Sequence, residues 1–367
     1  MYNALEQAKY ILPGVMLAAA LSLVAEYSAE FVGTTLLGFE QSPVSSVMVA
    51  LILGGLVANT AGTPRRCHPG ADFSVKRILK FGIILLGFRL SLYEAFQAGI
   101  RALPVVLISI VTAVFLVLLV SKLAGIDKRL GILIGVGTAI CGVSAIVATA
   151  PTIRAREEET GYAVATITVF GLIATLSYPF IGRALFGGFE ESVGMWLGTA
   201  VHDTSQVTGA ALVYSETFSA GETLDTAIVT KLLRNTLMIV VIPLAGIAAR
   251  RDGTNSENSS HLQQALSVFP GFVVWFLALS FLRSVGDAML AGGARALLIF
   301  ESGVWNALSG LLSEAAVICL LIALAGVGLK TDIRKLLHLG IRPFLVGLIA
   351  AIAVGGASAL TIILLLR

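Results

Sequence analysis

Two stretches of this sequence place polar and charged side chains where an apolar run would otherwise continue. The first is Thr199-Ala200-Val201-His202-Asp203-Thr204-Ser205-Gln206-Val207-Thr208-Gly209. His202 and Asp203 can bind a proton and so couple its movement to something else, and Ser205 and Gln206 can orient a polar ligand. On a helix, His202 and Gln206 lie four apart and share one face. The second stretch holds Lys231 and Arg234, flanked by Thr230 and Asn235, about one turn into an apolar segment. Three residues apart, they also share a face. Two cations pointing inward can neutralise an anion or pair with Asp203. Each stretch has a plainer alternative. The first could be a hydrogen-bonded knot between helices or a loop outside the bilayer. The second could snorkel its charged heads towards Glu222 and Asp225. Glu314, in Leu312-Ser313-Glu314-Ala315, is a further ionisable group inside an apolar run. It can take a cation or a proton, or sit at the outer interface.

A third stretch supplies backbone rather than side chains. Leu130–Pro151 is apolar enough for a bilayer, yet Gly135 to Ser144 packs three glycines, a threonine, a cysteine and a serine into ten positions. Glycine costs about 1 kcal/mol in a helix interior, so a plain anchor has little reason to cluster it. One reading is close packing through small residues such as Gly135 and Ala139. The other is a helix that breaks at mid-membrane. A half-helix starting near Gly142-Val143-Ser144 would turn its N-terminal amides towards an anion. Thr138, Cys141, Gly142 and Ser144 would then line a pocket, with Lys231 and Arg234 raising its positive potential.

The elements that must position these groups are membrane helices. Of 367 residues, 57% are hydrophobic and 13% charged, where a soluble domain carries about 25% charged residues. Mean hydropathy is +0.92. A polytopic all-α membrane protein follows. Eleven segments reach or approach the roughly 20 apolar residues that span a bilayer: 11–32, 44–61, 73–92, 103–123, 130–151, 162–185, 193–213, 226–249, 269–283, 304–328 and 344–366. The polar run Arg250–His261 is the one linker-like segment, and the first apolar stretch reads as a retained helix rather than a cleaved signal. Most lysines and arginines, including Lys9, Arg65, Arg66, Lys76, Arg77, Lys80, Lys122, Lys128 and Arg129, fall on the side of the N-terminus. The N-terminus is therefore predicted cytoplasmic and the C-terminus outside.

Internal echoes suggest a repeat. Gly87-Phe88-Arg89-Leu90-Ser91-Leu92 with Gly99-Ile100-Arg101 matches Gly328-Leu329-Lys330-Thr331-Asp332-Ile333 with Gly340-Ile341-Arg342 at a constant offset. The copies would end helices running in opposite directions, as an inverted-topology repeat requires. Gly137-Thr138-Ala139 is echoed by Gly198-Thr199-Ala200, each opening a polar run. Three scattered cysteines and four histidines give neither a disulfide framework nor a metal-ligand spacing. No phosphate loop, nucleophile elbow, metalloprotease or dinucleotide motif occurs, which disfavours an ATP-driven pump. No enzyme activity, cofactor, metal or nucleic-acid partner is expected.

The run from Ile134 to Ala145, followed by Ala148-Thr149-Ala150-Pro151, resembles the hallmark of the YeiH-type family of bacterial inner-membrane proteins, often called sulfate exporters. Gly198 through His202, Gln206 and Val207 is similar to that family's second polar segment. Lys231-Leu232-Leu233-Arg234 resembles its basic helix, and Gly328-Leu329-Lys330-Thr331-Asp332 its end-of-helix signature. The resemblance implies a fold akin to bile-acid/sodium symporters and sodium/proton antiporters. In that fold inverted five-helix repeats form panel and core domains, and two discontinuous helices cross at mid-membrane. Residues 1–37 would then be an extra N-terminal helix, 38–189 the first repeat and 190–367 the second. Counting makes the fifth and tenth segments the crossing pair, whereas chemistry favours the fifth and seventh. The implied function is secondary transport of a small anion, sulfate or an organic sulfonate, coupled to H+ or Na+ through His202, Asp203 and Glu314, in the bacterial inner membrane, with the oligomeric state left open and a homodimer among the assemblies it allows. The rivals are a cation/proton antiporter using Asp203 and Glu314, and a membrane sensor or scaffold that transports nothing.

Overall fold

The computed structural model describes residues 2–38, 42, 44–249, 270–331 and 341–365. Among these, regular structure is helical throughout, apart from one isolated bridge between Ala296 and Phe300. A bilayer leaves an apolar chain little choice, because every backbone N–H and C=O must find a partner within its own segment. The helices are α1 (Tyr2–Glu30), α2 (Ser46–Asn59), α3 (His68–Phe73), α4 (Leu79–Leu86), α5 (Leu92–Leu123), α6 (Lys128–Ala139), α7 (Val143–Thr152), α8 (Glu157–Phe186), α9 (Glu190–Ala200), α10 (Thr204–Phe218), α11 (Gly221–Thr236), α12 (Met238–Ala249), α13 (Phe272–Ala291), α14 (Ser302–Lys330) and α15 (Ile341–Leu365).

Six of the described helices are long and apolar enough to cross a membrane, and α11 with α12, bent by 43°, makes a seventh. Fewer spans qualify than the eleven expected because several segments are interrupted. The segment expected over 73–92 is α3, a π-helical turn Ser74–Ile78 and α4. The segments expected over 130–151 and 193–213 each split into two short helices. The Arg250–His261 linker and most of the second copy of the proposed repeat, from Asp332 to Gly340, lie outside the described residues.

The chain packs as two compact units. One comprises residues 1–97, 212–225 and 271–333, the other 98–211, 226–270 and 334–367. In the first, α14 lies along α2 and α4, and α1 covers α2 and α3. Its ends are tied by polar contacts to backbone. Asn59 and Thr63 donate to the carbonyls of Thr331 (2.7 Å) and Leu329 (2.8 Å), and Ser280 donates to that of Gly87 (2.8 Å). In the second unit, α8 is the backbone of the packing, with α6, α7, α9 and α15 laid against it. Trp196 of α9 donates its indole N–H to Gly355 of α15 (2.8 Å) and stacks on Tyr178 of α8.

Candidate functional site

The second unit contains two broken helices, and each break has its own local cause. The first lies between α6 and α7 at Ile140-Cys141-Gly142. Gly142 has φ 64° and ψ −121°, a conformation closed to residues with a Cβ. The helix restarts at Val143 without a side-chain cap. The second break, between α9 and α10, is Val201-His202-Asp203, with Val201 extended. Here the restart is built from side chains. Asp203 Oδ1 accepts from the Ser205 amide (3.0 Å) and the Ser205 hydroxyl (2.7 Å), and Gln206 Oε1 accepts from the Asp203 amide (3.2 Å). That reciprocal pattern is a variant of the capping box, in which the Asp203 side chain takes the second helical amide rather than the third. Gln206 also donates to the Thr168 carbonyl of α8 (3.1 Å), and fits there because α8 carries Gly171, whose Cβ would collide with the Gln206 amide.

The two breaks touch. A methyl group on Gly142 would sit 3.2 Å from Asp203 Cβ and Oδ2. The carboxylate that caps α10 therefore also stands beside the uncapped N-terminus of α7.

Lys231 and Arg234 hold the opposite ends of the half-helices. Arg234 donates from Nε to the Ala139 carbonyl (2.8 Å), from Nη2 to Thr138, and from Nη1 to Thr199, with longer contacts to Gly198 and Val201. Lys231 donates to the carbonyls of Ile140 (2.9 Å), Val201 (3.2 Å) and His202. The last carbonyls of a helix have no partner within it and carry the negative end of its dipole, so two cations satisfy both needs at once. The echoed Gly-Thr-Ala triplets are thus equivalent ends, and both deliver carbonyls to one guanidinium. Lys231 and Arg234 are 1% and 0% exposed. Among the described residues neither forms an ion pair with a carboxylate. Asp203 is the acidic side chain close enough to act on Lys231.

Of the residues singled out in the sequence, Thr138, Cys141, Gly142, His202, Asp203, Ser205, Gln206, Lys231 and Arg234 come together at the two breaks. Thr138 contributes its carbonyl, while its hydroxyl has no hydrogen-bond partner among the described residues. His202 Nδ1, Thr230 Oγ1 and Asn235 Oδ1 are likewise buried with unused hydrogen-bonding capacity. Cys141 is buried with its thiol 3.8 Å from Met238 Sδ. Ser144, two residues after Gly142, is exposed.

Two expectations need correction. His202 and Gln206 do not share a helix face, because α10 begins only at Thr204 and His202 lies in the break. The tenth segment is not broken. α14 runs uninterrupted from Ser302 to Lys330 in the first unit, and Glu314 is exposed on it. The second broken helix is the seventh segment.

Other polar contacts escaped the sequence reading. In the first unit Glu216 accepts from Ser45 (2.8 Å), Ser46 (3.0 Å) and the Val47 amide (3.4 Å), which caps α2 from another helix. A lone glutamate in an apolar run was its signal. Arg89 pairs with Asp225 at 3.3 Å, which leaves that carboxylate engaged elsewhere than with Lys231. Among the described residues no group of three His, Cys, Asp or Glu side chains could hold a metal ion.

A family model described as "Conserved hypothetical protein 698" matches residues 13–347. The chain belongs to this family. Relatives named UPF0324 membrane proteins are 31% identical in Fusobacterium nucleatum (83% of this chain, 85% of the relative), 30% identical in Bacillus anthracis (92% and 90%) and 33% identical in Streptococcus pyogenes (94% of each). These names state a membrane location and no activity. The polytopic helical architecture and the relatives agree that this UPF0324-related chain is a multi-pass membrane protein.

Proposed function

We propose that the protein is a secondary active transporter of a small anion of the sulfate or organic sulfonate class. The observation that carries this reading is a charge imbalance. Two fully buried cations stand at the breaks against one carboxylate, and the N-terminus of α7 is left without a cap of its own. The carbonyl dipoles hold the two cations but cancel no formal charge, and net positive charge in a low-dielectric interior favours an anion. Open amides at a helix N-terminus offer it hydrogen bonds. Ser144, exposed in the first turn of α7, adds a hydroxyl at the same end. Asp203, half-buried and next to Gly142, is the group suited to carry a proton with the cargo. The likeness to the sulfate-exporter family points to the same substrate class, and alternating access driven by an H+ or Na+ gradient suits a protein with two packed units. The surrounding membrane is the bacterial inner membrane, with the N-terminus cytoplasmic.

Proteoliposomes loaded with labelled sulfate, or with a small alkyl sulfonate, test the reading under imposed proton and sodium gradients. Gradient-dependent flux of at least one anion is expected. Sodium-dependent proton flux indifferent to added anions would instead select a cation antiporter. No flux of either kind would leave a sensor or scaffold as the function.

A further inference from the structure

We infer that the Lys231 ammonium is a tethered resident cation in a cage of backbone carbonyls, occupying the place a free alkali cation would need at these breaks. Three carbonyl oxygens, from Ile140, Val201 and His202, converge on one nitrogen, and an ammonium has three N–H donors to meet them. The oxygens come from both breaks, so they form one cage supplied by two helices. Unwound carbonyls at helix breaks are also the ligands that transporters use for Na+, and carbonyl rings replace the hydration shell of alkali cations in channels. Here that ligand set is already taken by a side chain that cannot leave. Arg234, one turn on, takes the carbonyls of Thr138, Ala139 and Thr199, so the neighbouring C-terminal oxygens of both half-helices are engaged by a second cation. Sodium therefore has no place at this cage in the intact protein. The inference concerns the cage alone and holds whatever the cargo is.

Emptying the cage makes the inference testable without any transport assay. Lys231→Ala removes the ammonium and leaves the carbonyls, and the purified full-length variant is melted in detergent. Salts of sodium, ammonium, methylammonium and choline are compared at equal ionic strength and pH. The intact protein is expected to melt at the same temperature in all four. Lys231→Ala is expected to melt about 5 °C lower in choline and to regain much of that loss in methylammonium or ammonium, since a ligand bound to the folded state alone raises its stability. Lys231→Met, which fills the space without charge, is expected to lose as much and regain nothing. A sodium-specific rise in the intact protein overturns the inference. So does a Lys231→Met variant as stable as the intact protein, or a folded Lys231→Ala that no small cation stabilises over choline. Should Lys231→Ala yield no folded protein, the intact chain and Lys231→Met decide the matter on the same criteria.

Discussion

The two breaks in the second unit solve one problem by different means. Between α6 and α7 the chain turns on Gly142 and adds no side-chain cap. Between α9 and α10 it turns on Asp203 and Gln206, which close a capping box on the new helix. Their outgoing carbonyl ends are treated alike, both held by Arg234. Only the incoming amide ends differ. One is capped by an aspartate and a glutamine, and the other starts on Gly142, which has no side chain to cap it, with the Cys141 thiol on the Ala145 amide and Ser144 exposed beside it. That asymmetry is what the proposed anion site would use. On the proposed function, the anion would bind at the start of α7, and α10 would have a supporting part.

Removing what the two breaks share should do most harm. Arg234→Leu strands carbonyls from both half-helices in a buried setting, at a cost of about 3–5 kcal/mol. Loss of the monodisperse protein on size exclusion in detergent, or a comparable fall in melting free energy, is the expected result. A variant as stable as the parent would mean that the carbonyl ends do not depend on this guanidinium. The next effect separates the breaks. Gly142→Ala forces a Cβ into a conformation that costs about 1–3 kcal/mol, and presses it on Asp203. Gly135→Ala, inside α6 and in ordinary contact with Val117, is the matched control, and should be neutral or stabilising by up to about 1 kcal/mol. Equal losses at the two glycines would remove the case for a glycine-built turn.

How legible this was differs between the breaks. The glycine cluster at 135–142 announced a break, because helix interiors penalise glycine. The polar run at 199–209 announced a second, because bilayers penalise polar groups. Which residue starts the new helix was also written in Asp203 and Gln206, since Asp-x-x-Gln is a capping signature, but a helical face was drawn through it instead. The partners of Lys231 and Arg234 were not legible at all. Charged side chains suggest charged partners, and backbone carbonyls made available by a break carry no sequence mark. Glu314 misled for the opposite reason. A carboxylate in an apolar run signals expense, but only packing shows whether it faces a site or lies exposed on an unbroken helix.

The smallest expected effect on stability bears most directly on the asymmetry. Ser144 is exposed in the first turn of α7 and makes no hydrogen bond that holds the fold, so Ser144→Ala should change stability by no more than about 0.5 kcal/mol. If the open end of α7 receives an anion, the lost hydroxyl costs one hydrogen bond to it. That is worth about 0.5–1.5 kcal/mol, or a roughly 2- to 12-fold weaker apparent affinity in a thermal-shift titration with sulfate. Ser205→Ala at the other break loses a hydroxyl already bound to Asp203 at 2.7 Å, and should cost about 1 kcal/mol of stability, more than its counterpart. The ordering matters more than either magnitude. A Ser144→Ala variant that is markedly less stable yet responds to sulfate as the parent does would mean that the start of α7 is packed structure, and that the anion, if there is one, binds elsewhere.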